Sequence, residues 1–106
     1  MTQKHRPRRL RRGYTAVDTP PTVLDAARAL PGWALGYHLA VLDPDGTLSV
    51  TLKLDHRGGL VVSHAALQEG IQGYQVRHIH SHVQHGQATV WLSLRRLGSG
   101  ESGDPS

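Results

Sequence analysis

Between Thr47 and Asp55 the chain reads TLSVTLKLD, with leucine or valine at every second position and a polar side chain between them. A period of two belongs to a β-strand with one face in a core and the other outside it. It sends Leu48, Val50, Leu52 and Leu54 inward and Thr47, Ser49, Thr51 and Lys53 outward. The preceding stretch, ALGYHLAVLD, is joined to it through PDG, which is the turn chemistry of a hairpin. That first strand has no polar face. Leu35, Tyr37, Leu39 and Val41 lie on one side and Ala34, Gly36, His38, Ala40 and Leu42 on the other, which predicts a strand that is central or covered by a partner.

The same reasoning extends to both ends of this hairpin. TPPTVLDAARALPG reads as a short helix: Thr19 or Thr22 caps it, Pro20 and Pro21 suit its first turn, and Pro31-Gly32 stops it. Val23, Leu24, Ala27 and Leu30 form its expected buried stripe. HRGG then turns the chain into LVVS, expected as a short strand, and Ser63 caps a second helix through HAALQEGIQG, ended by Gly73. A second hairpin follows, YQVRHIHSHV and ATVWLSLRRL around His85-Gly86. The predicted class is α+β: an antiparallel sheet of four to five strands, two hairpins plus a short strand, with two short helices packed on one face. Length allows one core, in a domain spanning 14–97 between a disordered basic arm, 1–13, and a flexible polar tail, 98–106.

The segment RHIHSHVQHG places four of the eight histidines within ten residues. A two-residue or four-residue loop sets Val83 opposite Ala88, Ser81 opposite Val90 and Ile79 opposite Leu92. The core face then holds Ile79, Val83, Ala88, Val90, Leu92 and Leu94, with Arg77 pointing the same way. The other face carries Val76, His78, His80 and His82 beside Thr89, Trp91, Ser93 and Arg95, with His80 across from Trp91. A three-residue loop would bury imidazoles among leucines at a desolvation cost. Neighbouring histidines at this spacing are about 6.6 to 7 Å apart, so His78 and His80 are candidate ligands for zinc, nickel or copper. His78 and His82 lie about 13 Å apart by the same arithmetic, so a third ligand must come from His85, His38, Asp55 or a second subunit.

Charge is concentrated at one end. Lys4, Arg6, Arg8, Arg9, Arg11 and Arg12 give the first twelve residues +6 with no acid, residues 13–97 are neutral overall, and Glu101 and Asp104 make the tail acidic. Such an arm suits phosphate neutralisation and predicts DNA or RNA binding, with Trp91, His80, Arg95 and Arg96 adding a folded contact surface. The first reading is therefore a small nucleic-acid-binding protein whose α+β domain self-associates through its sheet. The alternatives are a protein interaction module with a passive arm and a histidine-based metal-binding protein. Histidines change charge near pH 6.5, so an interface built on the ladder should weaken in acid.

Several classes drop out. Without cysteine there is no disulfide, thiolate metal site or cysteine nucleophile. No nucleophile elbow, P-loop or dinucleotide fingerprint occurs, Ser63-His64 adjacency does not make a nucleophile and base, and DHRGG reads as a turn; the chain is not read as an enzyme and no cofactor is required. No run approaches the roughly 18 apolar residues of a membrane span and no signal-peptide pattern is present, so the expected location is cytoplasmic, without a membrane partner. Ten arginines against two lysines, with phenylalanine and asparagine absent, point to a GC-rich bacterial genome.

Overall fold

In a computed structural model, which describes residues 12–97, the elements run β1 (Thr15–Val17), α1 (Pro21–Arg28), β2 (Trp33–Leu42), β3 (Thr47–His56), α2 (His64–Gly70), β4 (Tyr74–Gln84) and β5 (Gln87–Arg96). All strands belong to one antiparallel sheet in the order β1-β2-β3-β5-β4. The chain is α+β, as the patterning predicts. The expected arm and tail lie outside the described residues, apart from Arg12 and Gly13.

The core forms where the two hairpins meet. β3 and β5 pair Leu48 with Leu94, Val50 with Leu92, Leu52 with Val90 and Leu54 with Ala88, and all eight are buried. Val23, Ala26, Ala27 and Leu30 from the α1 region and Leu67 from α2 close over them, joined by Trp33, Ala40, Val62 and Ile71. Burying each leucine or valine is worth about 1.5–3 kcal/mol relative to exposure. Both helices pack on that side, so among the described residues no element covers the opposite face of the sheet.

Two bulges set which residues reach that open face. In β2 the register shifts between Leu35 and Tyr37, and in β4 between Val76 and His78. Leu35 opposite Leu54 and Val76 opposite Leu94 therefore pack on the core, whereas a strict alternation puts each on the other side. Arg77 is the extra residue of the second bulge and is exposed, rather than pointing into the core. A bulge needs local room. A Cβ on Gly36 would stand 2.9 Å from Asp55 Oδ2, so glycine fits where β2 kinks against β3.

Other expectations change. β1, which no periodicity marks, pairs with β2 and makes it an internal strand. LVVS is not a strand: residues 57–63 form a crossing loop, in which Val61 O accepts the Trp33 indole N–H at 3.0 Å. Neither candidate threonine caps α1, whose N-cap is Pro20. Thr19 is buried and hydrogen-bonded to His38 Nδ1 at 2.9 Å, and Thr22 Oγ1 ties α1 to the end of α2, donating to the Gly70 carbonyl at 3.3 Å and accepting from Gln72 N–H just beyond it at 2.7 Å. Ala26 takes the buried place assigned to Leu24. Ser63 does cap α2, accepting from Ala66 N–H at 3.1 Å, but the helix ends at Gly70, three residues before Gly73.

Candidate interaction face

The helix-free side of the sheet is an ordered grid, because each strand contributes every second residue. One row across β2, β3, β5 and β4 reads Leu39, Thr51, Trp91, His80; the next reads Tyr37, Lys53, Thr89, His82; on the other side lie Val41, Ser49, Ser93 and His78. The two-residue turn produces the last column. His85 and Gly86 have φ of 51° and 77°, the paired positive values of a type I′ turn, which fixes Val83 opposite Ala88 and His80 opposite Trp91.

His80 and Trp91 stack, with ring centroids 5.2 Å apart and planes 26° from parallel. Trp91 nevertheless keeps 41% of its surface exposed, Tyr37 50% and Leu39 41%. The face thus offers flat aromatic surface to solvent. His82 Nε2 and Gln84 Oε1 are 3.0 Å apart, and beside them a shallow polar depression of about 490 Å³ is lined by Lys53, Asp55, His82, Gln84, His85 and Gln87.

Charge on the face is nearly balanced. Arg95 donates to the Asp45 carbonyl and stands 3.7 Å from its carboxylate, so it clamps the β2–β3 turn. Hydrogen bonding with the Asp43 side chain, then with the side chain and backbone of Thr47, together with the Arg95 charge, pulls the Asp45 carboxyl down to about 2. Lys53 has Asp55 two residues along the same strand face. Arg96 does not join Trp91. Register places it with Leu94 on the helix side, where it lines a small cavity with Val17, Leu42 and Tyr74. Arg12 is exposed, while Lys4, Arg6, Arg8, Arg9 and Arg11 lie outside the described residues.

The histidines separate into different environments. His78, His80 and His82 share the open face, whereas His38 faces α1, where Thr19 holds it, and His56 meets the edge of Trp33 at 5.6 Å. His64 Nε2 lies 2.8 Å from Ser81 Oγ, a contact the sequence spacing of 17 does not announce. It joins the start of α2 to β4. Among the described residues, no three or more histidine, aspartate or glutamate side chains come together to hold a metal ion, so His38, Asp55 and His85 do not complete a site with His78 and His80. Among those residues, too, no helix is long and apolar enough to cross a membrane. No protein-family model, curated protein or solved structure matches this chain.

Proposed function

We propose that this protein binds single-stranded nucleic acid, with the arginine-rich N-terminal segment supplying phosphate affinity and the open sheet face supplying base stacking. The observation that carries the reading is the Trp91–His80 stack, exposed on the helix-free face of the antiparallel sheet. Aromatic side chains on such a face accept unpaired bases, each worth about 1–3 kcal/mol. Tyr37 lies two strands from Trp91 and one row along. By strand geometry that is about 10 Å sideways and 7 Å lengthwise, room for successive unstacked bases. Neither helix suits duplex reading: α2 carries no lysine or arginine and α1 only Arg28.

Because the face is close to neutral, affinity must come mainly from the arm. Six cations releasing counterions from a single strand give a salt slope of about −4. The test is fluorescence anisotropy of labelled single-stranded RNA and DNA at two salt concentrations. Replacing Arg6, Arg8, Arg9, Arg11 and Arg12 with glutamine should flatten the slope and weaken binding throughout. Trp91→Ala should weaken binding by about 5-fold to 150-fold while keeping the slope. If the unaltered chain binds neither strand at low salt, the reading fails; if Trp91→Ala binds as the parent does, the face is not the contact surface.

A further inference from the structure

β4 is an outer strand of the sheet and runs for 11 residues, whereas the opposite edge, β1, has three. The bulge at Arg77 and the turn at His85-Gly86 bound its regular part, so 78–84 is an uninterrupted segment with Ser81 at its midpoint. In a two-residue hairpin the residues flanking the turn form a hydrogen-bonded pair, and the pattern alternates from there. The backbone groups of Gln84, His82, His80 and His78 therefore point toward β5, and those of Val83, Ser81 and Ile79 point out of the sheet. Within 78–84 there is no proline, lysine or acid to blunt this edge.

Such a strand is complementary to itself. Laying a second copy antiparallel about a two-fold axis at Ser81 places Ser81 against Ser81 and Ile79 against Val83 in hydrogen-bonded pairs, using the outward backbone groups of both. His80 then falls opposite His82 of the second copy, twice, in the non-hydrogen-bonded pairs where Cα atoms approach to about 4.5 Å. Opposed residues of antiparallel strands project to the same side, so all four imidazoles rise from the open face. Diagonal neighbours in such a set are about 7–8 Å apart, which lets four rings converge on an ion with bonds near 2.0–2.1 Å. We infer that two copies of this chain join along β4 and that His80 and His82 of each build a four-histidine site for a zinc-class divalent cation.

The site is incomplete in one copy, in keeping with the absence of a three-ligand group among the described residues. Imidazole nitrogens favour zinc, copper or nickel over magnesium or calcium. To reach the axis His80 swings off Trp91, now 5.2 Å away, and His82 leaves Gln84. Trp91 fluorescence therefore reports loading. His78 falls opposite Gln84 in this pairing and is not a ligand. The inference does not depend on nucleic-acid binding.

The full chain, freed of tag and metal, is titrated with zinc chloride, with bound zinc counted after equilibrium dialysis and mass followed by sedimentation velocity. One zinc per two chains is expected, with dimerisation over the same concentration range and a change in Trp91 emission. Magnesium should do neither. His82→Ala should lose zinc affinity by more than about tenfold and His78→Ala by less than about twofold, both histidines being exposed. Val83→Pro removes an outward N–H while leaving every histidine in place, and should abolish the dimer together with the half-equivalent uptake. One zinc per monomer, no uptake, or uptake that survives His82→Ala overturns the inference.

Discussion

At the scale of single residues, Gly32 and Gly59 approach each other too closely for a side chain to stand between them. Gly32 has φ +83°, and a Cβ built on it would fall 2.4 Å from Gly59 Cα, backbone against backbone. Its neighbour is pinned, because the Gly32 carbonyl accepts from both Arg57 N–H at 2.8 Å and Gly59 N–H at 3.0 Å. Gly58 shares the positive φ but has open space around it. Gly58→Ala should therefore cost only the left-handed strain of about 1–2 kcal/mol. Gly32→Ala adds a clash that cannot relax without parting β2 from the crossing loop, so its loss should be clearly larger. Urea unfolding of the two variants checks this order, and equal losses would mean that the loop moves freely away from β2.

At the scale of elements, the β2–β3 turn gives a pH-dependent prediction. Asp45 titrates at about 2 against an ordinary 3.8. A carboxylate lowered on folding stabilises the native state above its unfolded value, and that contribution is lost as pH falls through the folded one. Asp45→Asn should melt below the parent at pH 5, and the gap should close as pH approaches 2; thermal melts at both pH values would show it. Ser63→Ala, by removing the cap of α2, should cost about 1 kcal/mol and raise amide exchange first within His64–Gly70. These elements differ in how plainly they were written. Both hairpins and the His80–Trp91 pairing were legible because side-chain alternation and turn chemistry fix register. The bulges at Gly36 and Arg77 were not, since an inserted residue looks like continued alternation until its partner strand is known. LVVS has strand composition, yet its Val61 carbonyl is spent on the Trp33 indole, a contact across 28 residues. β1 has three residues and is a strand only because β2 lies beside it.

At the scale of the molecule, the sheet is clad on one side only among the described residues, and the described fold is 19 Å through its thinnest dimension against 48 and 42 Å across. The buried core and the proposed contact surface therefore sit on opposite faces of the same strands. On β3, Leu52 is fully buried; on β5, Trp91 stands on the open side with 41% of its surface exposed. Leu52→Ala should cost about 2–5 kcal/mol through lost burial and the cavity left behind. Trp91→Ala gives up the stack on His80, about 0.5–1.5 kcal/mol, and partial burial besides. For a domain of this size each kcal/mol moves Tm by about 4–8 °C, so calorimetry resolves the two variants easily. A small shift for Trp91→Ala would mean that any loss of nucleic-acid binding it causes belongs to the face and not to the fold. A shift as large as that of Leu52→Ala would mean that Trp91 is part of what holds the domain together, and stacking would no longer explain its exposure.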